Sequence, residues 1–477
     1  MKYSVFIAIL MSGSLSAADL AGKKPNIILI MTDDQGYGDL ACLGNPHIKT
    51  PNLDRLHKES VRFTDFHVSP TCAPTRSALL TGRHEFKNGV THTINERERM
   101  TLTATTLPQI LKTAGYTTGI FGKWHLGDED EYQPGKRGFD EVYIHGCGGI
   151  GQSYPGSCGD APGNKYTNPV LRHNGTFVAT KGYCTDLFFN QATKWIDATK
   201  GKQPFFAYIT PNAPHAPLDC PPGSDTPYAG KVPAPVAKFY GMIANIDANV
   251  GTLLDKLAEW KIDRDTLVIF MTDNGTATGS KVFNAGMRGA KNSPHTGGTR
   301  VPAFWRWAGT LPAGVDVPPL TCHYDVLPTL VVLAGAKLEG DVAKQVEGRS
   351  LLPLLNDAKA EWTDRTFVTH VGRWQKDQVE GAKHAGASIR DSRWMLVWDG
   401  KKPAELYDLK TDPGETTDVA AKHLDEVKKL TATYDAWWAS LPPYLVNENV
   451  TGPKVNPFKA AYWKQYNGPG PNNVPPR

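Results

Sequence analysis

The chain has 477 residues, of which 40% are hydrophobic and 21% are charged, and its formal net charge is +4. This length allows one large domain with a smaller partner, and the composition is that of an ordinary globular protein. The small net charge gives no support for nucleic-acid binding, which needs a clustered basic surface.

The first eighteen residues have the pattern of a secretory signal peptide. Lys2 is the positive start, residues 5–11 form a short apolar run, and the small residues 16–18 suit cleavage after Ala18. That run is too short to span a bilayer, and no later stretch reaches the length of a membrane span. The sequence therefore predicts an exported protein without a membrane span, either secreted or periplasmic, with the signal peptide at 1–18.

Apolar strands alternate with helical patterns in the following part of the chain. Strands are predicted at 26–31, 116–122, 203–210 and 267–271, and helices at 106–114 and 239–260. Continuous apolar runs are typical of strands buried on both faces, and their alternation with helices is typical of a largely parallel sheet. We expect an α/β catalytic domain over residues 19–360, with its site at the carboxyl ends of the strands.

From about residue 360 the pattern changes to short strands. These are predicted at 366–370, 387–390, 394–398 and 405–409, followed by a helix at 417–439. We expect a smaller C-terminal α+β subdomain over residues 361–477 with a short antiparallel sheet. Its last stretch is rich in Pro, Asn and Gly but carries aromatic residues, so it is predicted to be a strap packed on the surface.

The seven cysteines are an odd number for an exported protein. Cys147 and Cys158 are near enough in sequence to pair, as are Cys184 and Cys220, while free buried thiols are the alternative. The first pair lies in a Gly-rich stretch, 145–175, which is predicted to be a long surface excursion of the kind that shapes a site.

Acidic residues directly follow two of the predicted strands. Asp33 and Asp34 come after the first strand, and Asp273 and Asn274 come after the last one of the α/β pattern. Adjacent carboxylates repel each other, and a hard cation between them relieves that cost. Turn or helix-cap aspartates would explain either pair alone. Two such pairs favour a site for Ca²⁺, with Mg²⁺ as the alternative.

Cys72 begins the sequence Cys-Ala-Pro-Thr-Arg-Ser-Ala-Leu-Leu-Thr-Gly, 72–82. Pro74 fixes φ and removes a backbone donor, and Arg76 supplies a planar cation that suits a tetrahedral oxyanion. Residues 77–80 are predicted to begin a helix, whose free N–H groups also favour an anion. A small buried cysteine ahead of a helix is the bland explanation of the same pattern.

Two further segments place cations or imidazoles after predicted strands. Lys123 and His125 lie two residues apart, so their side chains share one face if the segment is extended. His215 lies between prolines on the loop after the strand at 203–210, which holds it in place. A surface lysine and packed histidines would explain these residues individually.

The form Cys-x-Pro-x-Arg, with Thr-Gly four residues later, resembles the signature of the type I sulfatases, a family of the alkaline-phosphatase-like superfamily. Further segments resemble motifs of that family in the expected order: the two acid pairs, Gly122-Lys123-Trp124-His125, Pro214-His215 and Arg288-Gly289-Ala290-Lys291. The resemblance runs from about residue 24 to about residue 430. It departs at Thr296, where many relatives have Glu before a Gly-Gly pair, so no contact of that Glu is carried over.

The resemblance implies a fold, a cofactor and a nucleophile. The fold is a large, mostly parallel sheet flanked by helices, with a smaller C-terminal subdomain. Asp33, Asp34, Asp273 and Asn274 match the divalent-metal ligands of the family, and the modified Cys72 completes that set. In this family a formylglycine-generating enzyme oxidises the cysteine to formylglycine, whose hydrate attacks the sulfur of a sulfate ester.

The other matches imply roles around that nucleophile. Arg76 would steady the modified side chain, and Lys123 and Lys291 would hold the sulfate oxygens, because charge builds on them during the reaction. His215, with Lys291 as a second candidate, would protonate the departing alcohol. His125 would take the proton whose removal lets sulfate leave.

The substrate is predicted to be an extracellular or periplasmic sulfate ester, with sulfated glycans the obvious class. Candidates to line a sugar subsite are His92, Arg97, His145, His173, Arg373 and Trp374, together with the stretch 145–175, although packing roles would explain most of them individually. Two alternatives stay open. One is a phosphatase, phosphodiesterase or phosphonate hydrolase of the same superfamily, and the other is an inactive carbohydrate-binding relative.

Overall fold

The computed structural model describes residues 19–400 and 403–468. The predicted signal peptide at 1–18 lies outside these ranges. Within them, every helix is too short or too polar to cross a membrane.

The described residues form strands and helices throughout. The strands are β1 Asn26–Thr32, β2 Val61–Phe63, β3 Phe66–His67, β4 Thr117–Lys123, β5 Glu141–His145, β6 Val170–His173, β7 Thr176–Ala179, β8 Phe205–Thr210, β9 Thr266–Thr272, β10 Ala303–Arg306, β11 Val315–Val317, β12 Thr321–Cys322, β13 Phe367–His370, β14 Ala385–Arg390, β15 Trp394–Asp399 and β16 Glu405–Asp408. The helices are α1 Pro51–Lys58, α2 Cys72–Thr81, α3 Leu107–Thr113, α4 Cys184–Thr199, α5 Ala234–Glu259, α6 Thr296–Thr299, α7 Val326–Leu333, α8 Gly340–Gln345, α9 Leu352–Asn356, α10 Leu424–Ala439 and α11 Pro457–Gln465.

A ten-stranded mixed sheet with the order β11-β2-β10-β9-β1-β8-β4-β5-β6-β7 is the centre of the described structure. Its middle strands, β9, β1, β8, β4 and β5, run parallel to one another. The strands β10, β6 and β7 are antiparallel to their neighbours. The predicted α/β class and largely parallel centre are therefore confirmed, with antiparallel pairing added toward both edges.

The central strands are buried on both faces. In β1, Ile27 and Leu29 belong to the apolar core on one face of the sheet, whereas Ile28 and Ile30 belong to the core on the other face. Side chains alternate between the faces of a strand, so a strand covered on both sides has to be apolar at every position. This is why β1 and β9 could be predicted from continuous apolar runs.

The smaller sheet of the C-terminal part has the order β13-β14-β15-β16 and is antiparallel throughout. Helix α10 covers one face of it, so that Leu430 and Tyr434 pack with Trp394 and Trp398. The predicted short antiparallel sheet is confirmed. The predicted helix at 417–439 begins later, because only residues 424–439 are α-helical.

The Gly-rich stretch 145–175 is largely buried, so its prediction as a surface excursion is wrong. Cys147 and Cys158 form a disulfide. The Asp128 carboxylate accepts hydrogen bonds from the backbone N–H groups of Cys147 and Gly159. These bonds satisfy buried backbone donors that a Gly-rich segment otherwise leaves without partners. The second predicted pairing does not form, because Cys184 and Cys220 are both free.

The C-terminal strap returns to the main body and holds this stretch in place. Phe458 and Tyr462 of α11 are fully buried and make edge-to-face contacts with Phe177 of β7. The Asn456 side-chain amide lies within 2.7–3.2 Å of the carbonyl oxygens of Tyr154, Gly156 and Cys158. The strap is therefore a covering layer on the disulfide-closed stretch.

We expect Asn456→Ala to lower the free energy of unfolding by about 2 kcal/mol, because it leaves buried carbonyl oxygens without their donor. Chemical denaturation followed by circular dichroism measures this. Lys454→Ala is the control, since Lys454 is exposed on the same strap. Equal stability of the two variants would show that the Asn456 contacts contribute nothing.

Candidate active site

Four adjacent parallel strands end at one edge of the large sheet. The register pairs Thr32 of β1 with Thr272 of β9, and Gly122 of β4 with Thr210 of β8. The residues that follow these strands are therefore brought together in space. They are Asp33 and Asp34, Asp273 and Asn274, His125, and, on the loop after β8, His215.

Cys72 reaches this edge as the first residue of α2, whose residues are all buried. The predicted helix start at 77–80 is wrong, because the helix begins at Cys72. Pro74 fits there because the first helical turn needs no N–H at that position. The Cys72 sulfur lies 3.9 Å from Oδ1 of Asp34.

Three carboxylates and the Cys72 sulfur form a compact cluster of ligand atoms. One ligand atom each from Asp33, Asp34, Cys72 and Asp273 lies within 4.8 Å of all the others, and all four residues are buried. Oδ1 of Asp33 and Oδ1 of Asn274 are buried without a hydrogen-bond partner. Unpartnered buried oxygens beside other carboxylates fit a hard divalent cation, which takes oxygen ligands. These residues could therefore hold such an ion.

Cations are paired with each of the carboxylates. Lys123 Nζ lies 2.7 Å from Oδ2 of Asp33, with both side chains fully buried. Lys291 Nζ lies 2.5 Å from Oδ1 of Asp34. Buried charges are tolerated when they are paired in this way. The site thus keeps two ammonium groups next to the Cys72 sulfur.

Arg76 links three of the elements that form the site. Its Nη2 donates to Oδ2 of Asp273 at 2.7 Å, and its Nη1 donates to the Lys123 carbonyl at 3.1 Å. The guanidinium is fully buried and planar, so it fixes the distance of α2 from β9 and β4. Since Cys72 lies one turn before Arg76, the same contacts fix the position of Cys72.

The electrostatic environment holds the acids and the thiol in different protonation states. Burial would raise the pKa of Asp34, but the charges of Lys291, His215 and Lys123 outweigh it and lower that pKa. Burial and the neighbouring Asp33 raise the pKa of Asp273 to about 6. Burial raises the pKa of the Cys72 thiol to about 12. An unmodified Cys72 is thus a thiol at neutral pH and a poor nucleophile.

His125 is held as a neutral imidazole. Its Nε2 donates to the Thr93 carbonyl at 2.7 Å, while its Nδ1 is buried without a partner. Burial lowers its pKa well below the ordinary value, and the charge of Lys123 lowers it further. Because the proton is on Nε2, Nδ1 is left as an acceptor, which is the state required of a base.

His215 and Lys291 share the Asp34 carboxylate. His215 Nε2 lies 3.6 Å from Oδ2 of Asp34, and its Nδ1 donates to the Ala216 carbonyl at 2.6 Å. Burial lowers the pKa of His215 to about 4. Burial also lowers the pKa of Lys291, but Asp34 outweighs this effect and raises it. Lys291 is therefore the member of this pair that carries a proton at neutral pH.

The disulfide-closed stretch lies directly against the His125 ring. A Cβ atom on Gly148 would lie 2.5 Å from Cε1 and 2.7 Å from Nε2 of His125. Such contacts require one of the two groups to move. Gly148 thus determines where the imidazole can lie.

We expect Gly148→Ala to lower turnover by about 10²-fold with little change in stability, because displacing a reacting group by about an ångström has this effect. Gly135→Ala is the control, since its Cβ would have no neighbour within 4 Å and its φ is not positive. Turnover and the unfolding midpoint are measured for both. Normal turnover of Gly148→Ala would contradict the assigned position of His125.

The turn that carries Lys291 is anchored at both ends. The Lys291 N–H donates to the Thr276 carbonyl at 3.1 Å. The Glu415 carboxylate accepts from the Thr296 N–H at 2.8 Å and contacts Nδ1 of His295. A carboxylate therefore reaches this turn from the C-terminal part, although Thr296 occupies the position where many relatives have Glu.

Most residues considered for a sugar subsite have packing roles. His145 is buried and bonds the Gly146 carbonyl, His173 pairs with Glu141 at 2.7 Å, and Arg97 pairs with Glu448 at 3.1 Å. His92 is half-buried and accepts N–H bonds from Thr93 and Ile94. Arg373 and Trp374 line a surface cavity.

Three residues that shape the site were missed by sequence reasoning. Thr93 acts through its carbonyl, Gly148 through the absence of a side chain, and Glu415 from a distant part of the chain. A backbone carbonyl and a close approach leave no residue-type pattern. The Asp-Pro-Gly-Glu turn at 412–415 was noticed as a motif, but its sequence does not show what Glu415 contacts.

Comparison with known proteins gives the family. The family model described as Sulfatase matches residues 25–336. The chain belongs to the sulfatase family. A second model, described as N-sulphoglucosamine sulphohydrolase, C-terminal, matches residues 291–435 of this sulfatase.

Curated relatives are similar over most of their length. N-acetylgalactosamine-6-sulfatase of Canis lupus familiaris is 32% identical over 387 residues, which cover 77% of this chain and 72% of the relative. Arylsulfatase A of Homo sapiens is 30% identical over 470 residues, covering 89% of this chain and 90% of the relative. These matches identify this sulfatase as a sulfuric ester hydrolase.

Solved structures share the fold. Ps i-CgsB in complex with k-i-k-neocarrahexaose has a TM-score of 0.79 and 28% identity, covering 92% of this chain and 97% of that one. A protein in complex with its substrate D-glucosamine-2-N,6-O-disulfate has a TM-score of 0.68 and 21% identity, with coverage of 90% and 100%. The phosphonate monoester hydrolase of Agrobacterium radiobacter has a TM-score of 0.62 and 22% identity, covering 88% and 96%. The last two likenesses show the fold alone.

Proposed function

We propose that this sulfatase removes sulfate from esters on sulfated carbohydrates, with formylglycine formed from Cys72 and with a divalent cation. The observation that carries the proposal is the buried cluster around Cys72, in which three carboxylates alternate with Lys123, Lys291 and Arg76. Relatives that act on or bind carbohydrates support the substrate class. Export, the formylglycine-generating enzyme and the domain boundary near 360 belong to the same proposal.

The cation would be held by Asp33, Asp34, Asp273 and Asn274, with Ca²⁺ favoured over Mg²⁺. When bound, it supplies positive charge to the transferring group, and formylglycine hydrate at position 72 supplies the attacking hydroxyl. The unpartnered oxygens of Asp33 and Asn274 support this ligand set.

The residues of the chain perform the remaining steps. Lys123 and Lys291 bind the sulfate oxygens and stabilise the charge that develops on them. Lys291 carries the proton for the departing alcohol oxygen, and His215 orients that oxygen. His125 accepts a proton at Nδ1 and so allows sulfate to leave without attack by water.

Sulfate and phosphate transfer are distinguished by assay. Purified enzyme is incubated with matched aryl sulfate and aryl phosphate esters and with a panel of defined sulfated saccharides. We expect sulfate release from at least one saccharide, and faster cleavage of the aryl sulfate than of the aryl phosphate. Faster phosphate release would favour the phosphatase alternative. Mass spectrometry of the Cys72 peptide tests the modification, because conversion of cysteine to formylglycine lowers the mass.

A further inference from the structure

A large cavity lies between the segment at 373–385 and the C-terminal strap. Its volume is about 830 Å³, within the range of ligand pockets in proteins. Its lining includes Arg373, Gln375, Asp377 and Gln378, with Asn449 contributed by the strap. The cavity is separate from the buried cluster around Cys72, and none of the roles assigned above uses it.

Arg373 connects this cavity to the active site. Its Nη2 donates to Oγ1 of Thr93 at 2.9 Å, and the carbonyl of the same Thr93 accepts the Nε2 proton of His125 at 2.7 Å. The inner end of the cavity is thus one residue away from the imidazole that acts on position 72. A molecule with its ester at the active site can extend into the cavity from there.

The position of Arg373 is fixed by its backbone. Its φ is +62°, a left-handed conformation that is uncommon outside glycine, and its N–H donates to the Thr91 carbonyl at 2.9 Å. A Cβ on the preceding Gly372 would lie 2.1 Å from that carbonyl oxygen. The Arg373 Nε is buried without a partner, which leaves a donor for a ligand oxygen.

Trp374 forms a rigid wall of the cavity. Arg97 lies 4.8 Å from the centre of its ring, Phe86 meets it edge-on, and its Nε1 donates to Glu448 at 2.6 Å. The ring is 8% exposed, so it offers little surface for stacking. Recognition in the cavity therefore depends on its polar side chains.

The polar lining suits a chain of sugars better than an isolated anion. Gln375 and Gln378 offer amides, and Asp377 and Glu380 offer carboxylates, all exposed at the outer part of the lining. Amides and carboxylates form hydrogen bonds with hydroxyl groups, whereas the two carboxylates repel further sulfates. One fixed cation, Arg373, lies at the inner end.

We infer that this cavity binds the sugar residues next to the one that loses sulfate, so that the enzyme prefers sulfated oligosaccharides or polysaccharides to sulfated monosaccharides. The inference rests on the proposed function at Cys72. It adds Arg373 and Gln378 as residues that determine specificity for the length of the glycan.

The test compares two substrates that carry the same sulfated residue, one a monosaccharide and the other an oligosaccharide. For the wild type we expect a higher kcat/KM on the oligosaccharide. Arg373→Ala should lower the ratio of the two kcat/KM values about tenfold, the effect of losing one hydrogen bond to a charged group. Gln378→Ala, at an exposed position, should lower the same ratio if the Arg373 variant does not fold.

Lys136→Ala is the matched control, because it removes a cation from the lining of a different surface cavity. It should leave the ratio at the wild-type value. Calorimetric titration with the desulfated oligosaccharide should show weaker binding to the Arg373 and Gln378 variants and unchanged binding to the control.

The outcomes separate the two levels of the proposal. If the wild type cleaves both saccharides equally, or if the Arg373 and Gln378 variants keep the wild-type ratio, the cavity has no role in glycan binding and the inference is overturned. If the wild type cleaves aryl sulfate but no saccharide, the carbohydrate assignment of the proposed function fails and the inference falls with it.

Discussion

Replacing Cys72 with alanine is expected to lower sulfate-ester turnover by about 10⁴-fold or more, as removal of a nucleophile typically does. Neither Lys123 nor His125 can replace the attacking group, because each is fixed by a partner of its own. The fold should survive, because alanine favours a helix and the change removes only one buried sulfur atom. Turnover of a sulfate ester and the unfolding midpoint are the two measurements.

Cys184→Ala is the matched control for this experiment. Cys184 is also buried, free and the first residue of a helix, but it lies in the core beside α4. This variant should keep wild-type turnover and lose a similar amount of stability. Turnover of Cys72→Ala within tenfold of the wild type would contradict the assignment of position 72 as the nucleophile.

Chelation of divalent cations is expected to lower turnover by about 10³-fold, because a bound cation contributes several kcal/mol of charge stabilisation. Three carboxylates lie within 4.8 Å of one another in the cluster. Adding Ca²⁺ or Mg²⁺ should restore the turnover, and the more effective ion identifies the preferred metal. The unfolding midpoint should fall on chelation and rise again, since an ion that binds only the folded protein stabilises it.

Asn274→Ala refines this prediction. The variant loses one oxygen with no hydrogen-bond partner, Oδ1, so about tenfold more cation should be needed for half-maximal turnover. Its turnover at saturating cation should recover in part. Undiminished activity of the wild type after exhaustive chelation would exclude a role for the cluster as a required metal site.

The part of the site that the sequence predicts is the part built on strand ends. Asp33, Asp34, Asp273 and Asn274 follow apolar runs, and parallel pairing of β1 with β9 brings these ends together. Strand boundaries could be predicted because burial on both faces demands apolar residues throughout. The pattern indicated where the polar side chains leave the sheet, and the adjacency of the strands did the rest.

The start of α2 shows where local reasoning failed. Pro74 suggested that the helix begins after it, at 77–80, but a proline in the first turn is compatible with a helix that begins at Cys72. Propensity alone does not distinguish these two starts. The contacts of Arg76 with Asp273 and with the Lys123 carbonyl favour the earlier one, and they link residues far apart in sequence.

The stretch 145–175 failed for a related reason. Its glycines were interpreted as signs of a surface loop, whereas Gly148 is needed because His125 approaches it closely. Buried carboxylates such as Asp128, together with Asn456 of the strap, supply the hydrogen bonds that make the burial possible. Composition does not reveal partners that lie in other parts of the chain.

Every residue of α2 is buried, and Cys72 itself is 2% exposed. An enzyme that modifies this cysteine has to bind the residues around it as an extended chain, and the folded protein offers no such access. Oxidation of Cys72 therefore has to take place while the chain is still unfolded, before or during its export. A molecule that folds first keeps its thiol, so the active fraction of a preparation is set by the order of two events during biosynthesis, modification and folding.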